Sequence, residues 1–120
     1  MSILFVEYPK CSTCQKAKKW LEAHNIEFTD RHIKEDNPTE TELKLWHEKS
    51  DADIKKFFNT SGVVYKSLNL KDKLPEMSLE EKYQILFTDG MLVKRPLVIG
   101  EDFVLIGFKE SQWEEVLSKI

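Results

Sequence analysis

An apolar run, Ile3-Leu4-Phe5-Val6, gives way after a short connection to a helical pattern opening near Ser12, and the chain's only two cysteines, Cys11 and Cys14, sit on that join. The run reads as a buried strand, and Glu7-Tyr8-Pro9-Lys10 as the connection, since Pro9 cannot donate to a sheet ladder. The helix turns Ala17, Trp20, Leu21 and His24 inward at i, i+3, i+4 and i+7, leaving Lys16, Lys18, Lys19 and Glu22 in water. Cys11 is thereby placed at the helix N-terminus.

That position sets the chemistry. The first N–H groups of a helix lack internal partners and carry the positive end of its dipole, so a thiolate is stabilised there. Lys10 adds a neighbouring charge, and thiols in such settings fall from about 8.5 to roughly 3.5–7.5. Cys14 lies one turn further on the same face, within reach of a disulfide formed at Cys11. Cys11 is the expected nucleophile and Cys14 the expected resolving thiol.

Three other readings fit a cysteine pair. A structural disulfide suits oxidising compartments, whereas this chain shows no signal peptide and is expected to be cytoplasmic, where thiols stay reduced. A zinc site needs two further ligands, and His24, His32 and His47 show no paired spacing to supply them. Two packed, inert cysteines are the third. No metal or organic cofactor is implied.

With 120 residues the chain is long enough for one domain, over 1–120, with its own core. Hydrophobic content of 41% against 32% charged is ordinary for a globular protein. A net charge of −3 argues against direct nucleic-acid binding. No apolar stretch approaches the roughly 18 residues of a membrane helix, so no membrane partner is expected. A monomer is expected.

Alternation over Glu27–Ile33 predicts a second strand after a loop at His24-Asn25-Ile26, giving a parallel strand-helix-strand crossover. From about 37 to 90 the pattern is helical. Thr39 with Glu42, and Ser78 with Glu81, are capping boxes; they lead to Leu43, Trp46 and His47, and to Tyr83, Leu86 and Phe87, the second helix stopping at Asp89-Gly90. Between them lie segments carrying Ile54, Phe57 and Phe58, and Val64, Tyr65 and Leu68. After Arg95-Pro96, the runs Leu97-Val98-Ile99 and Phe103-Val104-Leu105-Ile106 flank the turn Gly100-Glu101-Asp102 and predict an antiparallel hairpin. Ser111 with Glu114 caps a last helix turning Trp113, Val116, Leu117 and Ile120 inward. The order β-α-β, helical insertion, β-β-α predicts an α/β, thioredoxin-like fold: a four-stranded mixed sheet with helices on both faces.

The stretch from Phe5 through Cys11-Ser12-Thr13-Cys14 to Phe28, together with Lys94-Arg95-Pro96-Leu97-Val98-Ile99, resembles the ArsC/Spx/MgsR (arsenate reductase-like) family of thioredoxin-fold proteins over nearly the whole chain. The resemblance implies that Cys11 is redox-active, that Pro96 is cis, and that Arg95 points at the sulfur as an anion holder.

Departures from the family patterns divide its activities. Arsenate reductases of this type carry a histidine four residues before the catalytic cysteine, where this chain has Glu7. They also gather three arginines, of which only Arg95 is kept; the others align with about Asn59 and about Lys109. Lysine lacks the bidentate fork of arginine. Those enzymes draw the second electron from glutathione, whereas Cys14 offers an internal thiol. Spx-like members are regulators that bind the RNA polymerase α-subunit; their glycine in the contacting segment falls at about Asp53, beside Lys55-Lys56. The reading is a thiol-disulfide oxidoreductase in which Cys11, Cys14 and Arg95 are catalytic, Lys10, Pro96 and Lys109 bind substrate, and glutathione, thioredoxin or glutaredoxin is the thiol partner. An Spx-like redox-sensing regulator and a glutathione-dependent arsenate reductase are the alternatives.

Overall fold

The structure is a computed structural model that describes residues 3–119. Strand β1 (Leu4–Glu7) leads into helix α1 (Ser12–Ala23), which returns the chain to β2 (Thr29–His32), parallel to β1. Strands β3 (Leu97–Ile99) and β4 (Val104–Ile106) form the expected hairpin, and β3 pairs antiparallel with β1. The sheet order is β2-β1-β3-β4, the mixed four-stranded sheet anticipated from the sequence.

Period-two alternation splits these strands between two cores. Phe5, Val98 and Leu105 pack with Ala17, Trp20 and Leu21 of α1 and with Trp113 and Leu117 of α6 (Glu110–Leu117). Val6, Leu97 and Ile99 point the other way, onto Leu43 and Trp46 of α2 (Glu40–Ser50) and Tyr83 and Leu86 of α5 (Leu79–Thr88). Each large apolar side chain buried this way contributes roughly 1.5–3 kcal/mol. Helices therefore cover both faces, and the second face is built by the insertion.

Both capping boxes form: Thr39 and Ser78 accept from the N–H groups of Glu42 and Glu81, whose carboxylates return to the cap N–H. Between α2 and α5 run a 3-10 turn (Ile54–Phe57), α3 (Val63–Ser67), α4 (Leu70–Lys73) and a second 3-10 turn (Leu74–Glu76). The insertion is tied to the approach to β3 by the Asn59 N–H donating to Leu92 O (2.8 Å) and the Lys94 N–H donating to Phe57 O (2.7 Å). Gly90 closes the insertion against the sheet so tightly that a Cβ there would meet Ile33 O at 1.8 Å.

Several boundaries differ from the sequence reading. Glu7 belongs to β1 and is buried rather than lying in the connection. The second strand starts at Thr29, because Glu27 and Phe28 precede the register with β1. His24 ends α1 as an exposed cap stacked on Trp20 at 3.9 Å, since the helix stops before its side chain can turn inward. Phe87 is exposed, and Leu68 lies at the surface. Ser111 is inside α6, not its cap: the cap is Lys109, which makes no side-chain capping bond. Ile120 lies outside the described residues.

Candidate functional site

Cys11 is the N-cap of α1, held in extended conformation with φ −83° and ψ 121°, and its Sγ accepts from the Cys14 N–H at 3.3 Å. The loop before it is braced from both ends. The Cys11 N–H donates to Tyr8 O at 2.9 Å, and Gln15 Nε2 donates to Pro9 O at 2.8 Å. Cys11 is half-buried and Cys14 fully buried, and both are free thiols.

The two sulfurs titrate in opposite directions. Burial resists ionisation of Cys11, but the Cys14 thiol and N–H, the Arg95 charge and the Thr13 N–H outweigh it and hold the group below the ordinary thiol value. For Cys14 burial dominates. A hydrogen bond with the Tyr8 backbone only partly offsets it, the neighbouring Cys11 thiolate reinforces it, and Cys14 is pushed up to about 12. Consuming the Cys11 charge in a covalent bond would remove that reinforcement and make Cys14 easier to ionise.

Arg95 stands on the loop leading into β3, and its peptide bond to Pro96 is cis. Its guanidinium lies over the Tyr8 ring, 5.4 Å from the centroid, and its Nε is buried without a partner among the described residues. Pro96 is buried behind the cleft, where its carbonyl accepts from the Gly107 N–H at 2.9 Å; the Gly107 carbonyl accepts in turn from Trp113 Nε1 at 3.1 Å. Gly107 sits at φ +76°, a conformation favouring glycine, as the chain turns from β4 toward α6.

A cleft of about 450 Å³ opens on Cys11, with Thr13, Asn59, Lys94, Arg95 and Lys109 among its walls. The fold therefore brings Cys11, Arg95 and Lys109 together, with Cys14 beneath. It does not bring in Lys10, which is exposed, or Pro96, which is buried, and neither is among the cleft walls. Asn59 and Lys109, aligned from sequence with the missing arginines, both line the cleft.

Sequence reasoning gave Lys94 no role and noted Glu7 only as standing where arsenate reductases carry a histidine. Lys94 was marked only by its adjacency to Arg95-Pro96. Glu7 was marked by alternation: it shares a sheet face with Phe5 beneath α1. Its carboxyl is pushed up to about 7, first by burial, then by the hydrogen bond and charge of Asp30, with Lys18 opposing. Lys18 Nζ lies 2.8 Å from Asp30 and 3.9 Å from Glu7. Although burial opposes its charge, Asp30 is held below the ordinary carboxylate value by Glu7 and Lys18. Of the two carboxyl groups, Glu7 is therefore the one that holds a proton to higher pH.

Known proteins place this geometry in context. The sequence model of the ArsC family matches residues 6–116. The uncharacterized Bacillus subtilis (strain 168) protein YusI is 56% identical over 96% of this chain and 98% of its own length. Regulatory protein MgsR of the same organism is 33% identical over 92% of this chain and 86% of its own. The crystal structure of a putative ArsC family related protein from Bacteroides fragilis superposes with a TM-score of 0.93 at 60% identity, covering 97% of this chain and 98% of that one. A thioredoxin-like sheet with an inserted helical face, matched end to end by these relatives, makes this chain a member of the ArsC family.

Proposed function

We propose that this protein is a thiol-disulfide oxidoreductase. The observation that carries the reading is the pairing at the α1 N-terminus of an accessible thiol held below its ordinary pKa with a buried thiol pushed far above it. The Cys11 thiolate attacks one sulfur of a substrate disulfide, and the other sulfur leaves as a thiolate. Cys14 then loses its proton and attacks the Cys11 sulfur, releasing the second substrate thiol and leaving a Cys11–Cys14 disulfide. Two electrons have passed to the substrate. Glutathione, or a dithiol protein of the thioredoxin or glutaredoxin type, returns them.

Arg95 and Lys109 supply positive charge to the thiolate and to anionic groups in the cleft, and Pro96 shapes the wall behind them. Reduction of a small symmetrical disulfide by the purified, reduced protein tests the reading. Cys11→Ser abolishes turnover, and Cys14→Ser accumulates a mixed disulfide on Cys11 visible by mass spectrometry. Full activity of Cys11→Ser would overturn it.

A second reading, a redox-sensing regulatory module, is favoured by the 33% identity with regulatory protein MgsR. Oxidation would then form the same disulfide without turnover. Capture of the RNA polymerase α-subunit by one redox form and not the other, with no catalysis of disulfide reduction, would select this reading.

A further inference from the structure

The cleft over Cys11 does not end at Lys109. A second cleft of about 490 Å³ continues from it, sharing Lys94, Ile106 and Lys109 as common walls and running on to Lys55 and Lys56. The two form one groove along the side of β4, the edge strand of the sheet, with Cys11 and Arg95 at one end and Lys55 and Lys56 at the other. Among the described residues five cationic side chains line it against a single carboxylate, Asp51, in a chain whose net charge is −3.

Surface lysines are ordinarily just solvated, and two observations set these apart. Among the described residues the ion pairs involve Lys18, Arg31 and His32, and none of the five groove cations has a carboxylate partner. The Arg95 Nε is also buried and unpartnered at the reactive end. Like charges gathered without counter-charges repel one another, and an anionic occupant relieves that repulsion.

The occupant's size and chemistry follow from the layout. A small oxyanion fills only the Cys11 end and leaves Lys55 and Lys56 unused. A single nucleic-acid strand is ordinarily held by successive aromatic faces on which bases stack as well as by charge. Here Phe58 is 2% exposed, and Phe108, the one aromatic ring lining the Cys11 cleft among the described residues, is half-buried against the α1/α6 core, so no run of stacking faces follows the groove. An extended acidic peptide fits both the length and the charge.

We infer that the groove docks an acidic polypeptide segment and presents a disulfide borne by that segment to Cys11. The inference rests on the oxidoreductase reading and names its substrate class. The exchange is the one written above, with the docked segment's sulfur attacked and its partner sulfur leaving.

The test uses the full chain and synthetic peptides of equal length that are acidic, neutral or basic. Each carries one cysteine as a mixed disulfide with a chromogenic thiol, and serine counterparts bear a fluorophore for anisotropy. At low ionic strength the acidic peptide is expected to bind and react about tenfold better than the neutral one, and the basic peptide worse. That preference collapses near 1 M salt, where the screening length is about 3 Å. Lys55→Glu with Lys56→Glu removes most of it, and Lys55→Gln with Lys56→Gln removes part. Lys16→Glu with Lys19→Glu, the same charge change on the exposed side of α1, leaves it in place.

Equal binding of acidic and neutral peptides overturns the inference. So does an equal loss from the α1 reversal, or tighter binding of a charge-matched oligonucleotide than of the acidic peptide. Salt-dependent acidic-peptide binding that Lys55 and Lys56 control, with no disulfide attacked, leaves the docking surface standing and sinks the oxidoreductase reading instead.

Discussion

Lys18 Nζ bonds Asp30 at 2.8 Å while standing 3.9 Å from the buried carboxyl of Glu7, so one ammonium faces two carboxyl groups beneath α1. It cannot fully compensate both, and Glu7 keeps its proton up to about pH 7. Because the unfolded chain releases that proton near 4.5, the folded state binds more protons between these values, and Glu7 makes stability fall as pH rises from about 4.5 through about 7. Glu42 acts oppositely. The side-chain hydrogen bonds from Arg31 hold it at about 2 despite burial, so its contribution is present above 4.5 and is lost as pH falls through about 2. Denaturant titrations across pH should show Glu7→Gln flattening the decline between about pH 4.5 and about pH 7, with a relative gain on the order of 2 kcal/mol at pH 8. An unchanged pH profile in that variant would contradict the burial argument.

The thiols should separate cleanly under alkylation. Near pH 7 Cys11 is expected to react first, while Cys14 in the folded protein resists, because its thiolate is disfavoured by burial and by its neighbour. Arg95→Ala should move the Cys11 titration upward by removing a stabilising charge. Mass spectrometry of samples quenched across pH reads both effects, and preferential labelling of Cys14 would reverse the roles.

Arsenate reduction is expected to be weak. Holding an oxyanion while sulfur attacks it needs concentrated directional donors, and the cleft offers a single arginine, Arg95, with the point charges of Lys94 and Lys109 and a neutral amide at Asn59. Asn59→Arg with Lys109→Arg should raise turnover measured with glutathione and glutaredoxin. A robust rate in the native protein, absent in Cys11→Ser, would instead support an arsenate reductase.

Two substitutions distinguish a real helix cap from an apparent one. Thr39→Ala removes an observed capping bond and should cost about 1 kcal/mol. Ser111→Ala lies inside α6 and should stay within about 0.5 kcal/mol of the native protein. Thermal or urea melts measure both.

Gly90→Ala should be far more damaging, since its Cβ would lie 1.8 Å from Ile33 O and backbone cannot yield cheaply. A loss of about 3 kcal/mol or more is expected in the same melts. A loss under about 1 kcal/mol would mean that the insertion can pivot away from the sheet.

Local patterns were enough to read the strand-to-helix step at Cys11, the capping boxes at Thr39 and Ser78, and the β3-β4 hairpin. Each depends on residues near one another in sequence, through alternation, helical spacing and short-range hydrogen bonds. The cis bond at Pro96 and the approach of Arg95 to Cys11 came from family resemblance rather than from pattern. What tertiary structure alone decided was which distant segments meet. The bonds of Asn59 to Leu92 and of Lys94 to Phe57 join the insertion to the loop before β3, setting Asn59 and Lys94 in the wall of the Cys11 cleft. The burial of Glu7 and the exposure of Lys10 were decided the same way, by how α1 lies over β1. Sequence spacing specifies a side chain's face on its own element, but desolvation and charge depend on what packs against that face, and no local pattern encodes that neighbour.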